Sequence, residues 1–397
     1  MKIRFRYYLI FLIFTSVSLS AQPYLIGHRT MNFTDPARND RPVPSEVYYP
    51  ATTAGNNTNF ADGAFPVIVF GHGFLMTYDA YLYLKDALVP LGYIITYTKT
   101  EGGTAPNHAE YGADLAFLIN QMKDEGTDPG SPFYLHIDSA SAVMGHSMGG
   151  GASFLACANN PVPTAMITFA AAETNPSAIA AASDITIPSL VFAAEEDCVT
   201  PPPQHQIPMY DSLASDCKVY ISIKGGGHCY FGDYNFLCSL GEVSCQQNFT
   251  ITREQQHAVI LDFLVPYLNY TLKNDESSWI LFNDSLESSS RILYEKSCTT
   301  TQMEKPGNNQ QYRIFPNPAS DHIFIDLPED HEKTIKILIR SITGNVVFNE
   351  TLKEVFTDSS KTINISNLPA GFYIIDIISR KNHFNLSFIK EDRQIKR

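Results

Sequence analysis

Residues Gly145-His146-Ser147-Met148-Gly149 follow the apolar run Ser141-Ala142-Val143-Met144 and lead into Gly150-Gly151-Ala152-Ser153-Phe154-Leu155. A strand, a G-x-S-x-G turn and a helix of small residues, in that order, make a sharp elbow that exposes a serine hydroxyl. Such a hydroxyl is a poor nucleophile at neutral pH. It needs a base to take its proton and backbone N–H groups facing the charge that develops on the attacked oxygen. The flanking glycines let the backbone pass close to its neighbours, and residues 149–152 keep the helix slim enough to lie against a sheet. The pentapeptide alone is weak evidence, and its context makes it strong.

The surrounding chain, from residue 46 to about 272, alternates short apolar runs with helical stretches, which predicts an α/β fold with a mostly parallel central sheet. Pro66-Val67-Ile68-Val69-Phe70 reads as a buried parallel strand, with further strands at 93–97, 165–169, 189–194 and 219–223. Leu115, Leu118, Ile119 and Met122 recur at helical spacing and predict a helix over 109–125, and a long helix is expected over 253–272. Residues 274–298 read as a mixed appendage packed on this domain. The connection between Phe169 and Pro188 is rich in alanine and too small to carry a helical lid.

An activated serine needs a histidine base and a carboxylate to orient it. Downstream, the run Ser189-Leu190-Val191-Phe192-Ala193-Ala194 ends in Glu195-Glu196-Asp197, and Lys218-Val219-Tyr220-Ile221-Ser222-Ile223 runs into Lys224-Gly225-Gly226-Gly227-His228. Each candidate stands at the end of an expected strand, where open α/β sheets place functional groups. Ser147 is thus the candidate nucleophile, His228 the base and Asp197 the acid, with Glu195 and Glu196 as competitors. His146 is expected to pack beside the nucleophile, and His257 to lie on the surface of its helix. Two N–H groups must face the oxyanion. Met148 follows the serine, and Phe74 lies in Gly71-His72-Gly73-Phe74-Leu75, the loop after the 66–70 strand, where Gly73 permits the turn.

The 397 residues carry 28 Lys and Arg against 41 Asp and Glu, a net charge of −13. From Tyr312 onward the counts are 12 basic and 11 acidic, so the acidity belongs to the earlier part. That balance argues against nucleic acid or an anionic membrane as partner. No His or Cys spacing fits a metal and Gly225-Gly226-Gly227 opens no helix, so no metal or cofactor is expected. Lys2, Arg4 and Arg6 precede the apolar run 7–19 and the small residues Ser18, Ser20 and Ala21, which predicts a cleaved export signal over 1–21. An exported chain can hold disulfides. The seven cysteines leave at least one unpaired, and Cys157, on the apolar helix behind the elbow, is the expected one. Cys238 and Cys245 are close enough to close a short loop.

Residues 22–298 thus form the expected main domain, and the polar stretch 299–311 a linker. Beyond it the period changes. His322-Ile323-Phe324-Ile325-Asp326 and Ile335-Lys336-Ile337-Leu338-Ile339 alternate, and about seven short strands over 312–397 predict a small β-sandwich.

Taken together, Phe70-Gly71-His72-Gly73-Phe74, Gly145-His146-Ser147-Met148-Gly149-Gly150-Gly151, Glu196-Asp197 followed by Ile207-Pro208-Met209-Tyr210-Asp211-Ser212, and Gly226-Gly227-His228 resemble the dienelactone-hydrolase and cutinase-like branch of the α/β-hydrolases, with the polyester (polyethylene terephthalate) hydrolases and the platelet-activating-factor acetylhydrolase-like esterases nearest. The resemblance implies an α/β-hydrolase fold and a secreted hydrolase of carboxylic esters or polyesters, with Phe74 and Met148 at the oxyanion hole; a monomer is expected. Lipases or acyl-ester esterases of lipids and glycans are the alternative, and an inactive adhesion protein is a rival of another class. Where those polyester hydrolases carry a tryptophan after the strand that follows the elbow, this chain reads Ala170-Ala171-Ala172-Glu173-Thr174-Asn175, and its one tryptophan is Trp279. Tyr312-Arg313-Ile314-Phe315-Pro316-Asn317-Pro318-Ala319, Leu368-Pro369-Ala370-Gly371-Phe372-Tyr373 and Phe388-Ile389-Lys390 resemble the C-terminal sorting domain of type IX secretion, which implies that machinery as a partner and export across the outer membrane.

Overall fold

The computed structural model describes residues 23–243, 249–298, 313–326, 334–341, 346–353, 360–378 and 383–391. The expected export signal (1–21), the linker (299–311) and Cys245 lie outside them. Ten strands form one sheet: β1 (Leu25–Asp35), β2 (Arg41–Ala51), β3 (Gly55–Asn56), β4 (Phe65–Gly71), β5 (Ile94–Thr98), β6 (Ile137–His146), β7 (Ala165–Phe169), β8 (Ser189–Ala194), β9 (Cys217–Ile223) and β10 (Ile292–Cys298). Their spatial order is β10-β9-β8-β7-β6-β4-β5-β2-β1-β3. Strands β5, β4, β6, β7, β8 and β9 run parallel, whereas β2 and β10 join antiparallel at either side.

The helices are α1 (Leu82–Leu88), α2 (His108–Thr127), α3 (Met148–Cys157), α4 (Ala178–Ala182), α5 (Gln206–Ser212), α6 (Phe236–Glu242), α7 (Arg253–Lys273) and α8 (Glu276–Ser288). The continuous apolar strands are buried on both faces. In β4, Ile68 and Phe70 enter a core with Leu84, Leu88, Phe263 and Phe282, while Val67 and Val69 enter the opposite core with Leu115, Leu118, Ala152 and Phe154. Successive side chains of a strand point to opposite faces, so helices must cover both. The connection after β7 holds only α4, whose Ala178 and Ala182 are buried.

Two parts of the sheet differ from the expectation that the pattern starts near residue 46 and ends near 272. The first is the β1–β2 hairpin, whose second strand contains Pro42, Pro44 and Pro50. Proline reads against a strand because it lacks a ladder donor. Here the carbonyl of Pro44 accepts from Lys99 N–H on the side away from β1, so the missing donor leaves the β1 ladder intact. The second is β10. Residues 274–298 are no appendage: α8 packs on the core, and β10 pairs along β9 with Cys298 opposite Cys217. β10 is mostly exposed, so it shows no apolar run, and the Cys217–Cys298 disulfide fastens it. A second disulfide joins Cys229 to Cys238, which corrects the Cys238–Cys245 loop; Cys198 is also disulfide-bonded. Cys157 is free and buried, and burial pushes its thiol pKa up.

The C-terminal segment forms two antiparallel sheets, β11 (Arg313–Phe315), β12 (His322–Asp326) and β15 (Ser360–Asn364) in one, and β13 (Thr334–Ser341), β14 (Val346–Lys353), β16 (Gly371–Ile378) and β17 (His383–Lys390) in the other. Ile323, Ile325 and Ile363 of the first share a core with Ile337, Ile339, Ile375, Ile377 and Phe388 of the second. This is the expected sandwich.

At the elbow Ser147 takes φ 54° and ψ −118°, a conformation that L residues seldom adopt. Close contacts with glycine backbone hold it there. A Cβ on Gly145 would stand 2.2 Å from Gly149 O, one on Gly149 2.2 Å from Gly71 O, and one on Gly151 2.1 Å from Ala172 O. Gly149 O belongs to α3 and Gly71 O to the end of β4, so neither can move without displacing its element. Gly149→Ala is therefore expected to destabilise the fold by about 3 kcal/mol or more, read as a fall in the urea midpoint; a loss under about 1 kcal/mol would mean the elbow has slack.

Candidate active site

Ser147, Asp197 and His228 project from the carboxyl-terminal ends of β6, β8 and β9, and the fold brings them together. His228 Nε2 lies 3.0 Å from Ser147 Oγ, and His228 Nδ1 lies 2.8 Å from Asp197 Oδ2. All three are buried, at 7, 2 and 5% exposure for Ser147, His228 and Asp197. With Nδ1–H donating to the carboxylate, Nε2 is left to accept from the serine hydroxyl.

Asp197 is held by more than its histidine. Its Oδ1 accepts from the N–H groups of Val199 and Thr200, at 2.9 and 2.8 Å, and its Oδ2 accepts from the Thr200 hydroxyl at 2.8 Å. Charge-assisted bonds of this kind contribute about 1.5–3 kcal/mol each. The competing Glu195 carboxylate turns elsewhere: it is exposed and accepts from Gly225 N–H at 2.9 Å. Glu195 thus braces the histidine loop from outside. From inside, the Gln256 side-chain amide clamps Gly227 by accepting from its N–H and donating to its carbonyl, both at 3.0 Å. Gly225, at φ 64°, makes the turn.

Sequence reasoning missed Thr200, Gln256, Tyr81 and Glu242, because each acts through folding that brings distant segments together. His146, fully buried next to Ser147 in the chain, has a defined set of partners. Tyr81 O–H donates to His146 Nδ1 at 2.8 Å, and His146 Nε2–H donates to the carbonyl of His228 at 3.1 Å. Burial, with the nearby His228 adding to it, pushes the pKa of His146 well down, so the ring stays neutral. The Tyr81 oxygen also accepts from Gly73 N–H at 3.0 Å, which ties the Phe74 loop to the elbow. Phe74 itself is 46% exposed, while Met148 is buried at the first turn of α3. Helix-opening N–H groups have no intrahelical partner and carry the positive end of the helix dipole.

His257 departs from the expected surface position. It is half-buried, stacks on Tyr83 with centroids 3.7 Å apart and lies 3.2 Å from Gly232 O. Trp279 stacks between Tyr270 and Phe282 on α8 and serves the core. Among the described residues, no three His, Cys, Asp or Glu side chains are grouped as metal ligands.

A doubly covered parallel sheet with a serine elbow and an Asp–His pair at its strand ends is the architecture of an α/β-hydrolase. The chain belongs to the PET hydrolase-like family, which it matches over residues 43–257. Residues 313–391 match the secretion system C-terminal sorting domain. Among curated relatives, it is 28% identical over 184 residues to a cutinase (est1) of Thermobifida alba, covering 46% of this chain and 56% of that one. It is 26% identical over 184 residues to a bis(hydroxyethyl) terephthalate hydrolase of Streptomyces coelicolor, covering 46% of this chain and 54% of the relative. The match thus spans little more than half of these relatives' length.

Glu242 supplies a test of how the histidine loop is held. It is 3% exposed and accepts from Cys229 N–H, beside His228, at 2.9 Å. Burial raises its pKa above the ordinary 4.5, so the native state holds this proton more tightly than the unfolded chain. Its contribution to stability is therefore full in acid and declines as pH rises from about 4.5 through the raised value. Glu242→Gln keeps the acceptor and removes the charge. It is expected to raise Tm by a few degrees at pH 8, with the gain closing at pH 4; a lower Tm than wild type at pH 8 would count against this account.

Proposed function

We propose that the protein is a secreted serine hydrolase of carboxylic esters, including polyesters of the polyethylene terephthalate or cutin type. The observation that carries the reading is the Ser147–His228–Asp197 relay, with spacings of 3.0 and 2.8 Å. Family membership and the relatives named for cutin and terephthalate-ester hydrolysis support the substrate class. Ser147 Oγ attacks the ester carbonyl carbon while His228 Nε2 takes the hydroxyl proton. The carbonyl oxygen becomes an oxyanion facing the Phe74 and Met148 amides. As the tetrahedral species collapses, the C–O bond to the alcohol breaks and His228 returns the proton to the leaving oxygen. Water, deprotonated by the same imidazole, then attacks the acyl carbon; the C–O bond to Ser147 breaks, His228 returns the proton to Ser147 Oγ, and the acid is released. Asp197 keeps the imidazole in the required tautomer and stabilises its charged form.

The same reading assigns residues 1–21 to an export signal and 22–298 to the hydrolase. Residues 299–311 are the linker, and 312–397 the domain that engages type IX secretion. Agreement between the 313–391 match and the sandwich fold supports that assignment.

Ser147→Ala is expected to lower kcat on p-nitrophenyl acetate by several orders of magnitude while the thermal melt stays cooperative. Ser153→Ala, which removes only a hydroxyl bonded to Gly149 O, should retain most activity. Residual activity above a tenth in Ser147→Ala would overturn the assignment and favour an inactive, adhesive role.

Only a neutral imidazole accepts the serine proton, so kcat/KM should rise with pH along a single-proton limb. A kcat/KM that shows no acidic limb at any pH where the fold persists would count against an imidazole base.

A further inference from the structure

Helix α6 wears its apolar side chains outward and its one carboxylate inward. Phe236, Leu240 and Val243 recur at i, i+4 and i+7 and are 61, 51 and 70% exposed. Leu237 and Tyr234 add to the same segment at 48 and 71%, while Glu242 is buried. A helix on a domain surface ordinarily turns its apolar stripe to the core. Here the stripe is reversed, and a contiguous patch of large exposed apolar side chains marks an interaction surface.

Two links fix this patch to the site. Cys238 of α6 is disulfide-bonded to Cys229, the residue after His228, and Glu242 accepts from the Cys229 N–H. On the other side, a Cβ on Gly241 would lie 4.0 Å from Val199, itself 37% exposed and two residues beyond Asp197. The apolar surface therefore reaches Val199 in the loop that carries Asp197, and the disulfide tethers α6 to the loop that carries His228. No Lys or Arg occurs from Tyr234 to Val243, and the chain carries a net −13, so the patch is unsuited to an anionic lipid surface.

We propose that the outer face of α6 is an adsorption surface for the uncharged, water-insoluble body of a polyester. It holds the enzyme on the polymer while an ester of the same material enters the adjoining site. The proposal rests on the ester-hydrolase reading above and adds to it a means of residence on a solid. A small soluble ester would have no use for the patch. A protein partner seated there would crowd the rim of the site. A solid polyester both covers the patch and supplies the reacting bond.

The test uses the full chain and the triple variant Phe236→Ser/Leu240→Ser/Val243→Ser. Adsorption is measured by depletion from suspensions of amorphous polyethylene terephthalate powder, beside kcat/KM on p-nitrophenyl acetate in solution. The variant is expected to bind the powder at least about tenfold more weakly, a loss that full burial of one such side chain would already account for. Its kcat/KM on the soluble ester should stay within about twofold of wild type. Val243→Phe should bind the powder more tightly, which keeps the test open if the triple variant does not fold. Unchanged adsorption in the triple variant would overturn the proposal. So would a wild-type dimer in analytical ultracentrifugation that the variant loses, or binding to phosphatidylcholine vesicles in place of the powder. Failure of wild type on p-nitrophenyl acetate would instead overturn the ester-hydrolase reading, because adsorption is read without turnover.

Discussion

The candidate site depends on one backbone contact, Gly149 against Gly71. There is no room for a Cβ at Gly149, where it would meet the Gly71 carbonyl at 2.2 Å. That contact sets the first turn of α3 against the end of β4. It thereby positions Ser147 relative to the loop that begins with Gly71 and reaches Phe74. The two amides expected at an oxyanion are thus related through main chain. Main chain held by sheet and helix moves less than side chains do, and small displacements of reacting groups cost much in rate.

The second constraint is the burial of a polar cluster that must satisfy itself. His228 and Asp197 are almost out of solvent, and an unpaired buried donor or acceptor costs about 1–3 kcal/mol. The Asp197 loop supplies its own donors, Val199 and Thr200, and the histidine loop is clamped by Glu195 and Gln256. Tyr81 and His146 then join the Gly73 turn to the carbonyl of His228. Each loop is held by groups from another, so the spacing of the relay belongs to the assembled cluster. Neutral His146 suits this role, since a proton there would place a positive charge beside the imidazole that the proposed reaction would make cationic.

Much of the fold was legible because its parallel strands are buried on both faces and read as continuous apolar runs. β7 and β8 fall at their expected bounds for this reason. The β1–β2 hairpin and β10 were not legible. β2 contains prolines that the antiparallel geometry tolerates on one side only, and β10 is an exposed edge strand with polar residues. Ser147, Asp197 and His228 could be chosen because each follows a recognisable strand, and strand ends gather on one edge of a parallel sheet.

Sequence alone determined the candidates and the boundary: the glycine-flanked serine, the acid after β8, the histidine after three glycines and the change of period near residue 312. These are local signals, set by what a turn or a strand end requires of its own residues. Tertiary structure alone decided which of three consecutive carboxylates faces the imidazole. It also decided that Tyr81, Thr200, Gln256 and Glu242 hold the loops, and that α6 turns its apolar stripe to solvent. Those outcomes depend on distance between residues far apart in the chain. A one-residue rotation on a strand end or a helix exchanges the inward and outward sides, and only the packed neighbours determine which side is which.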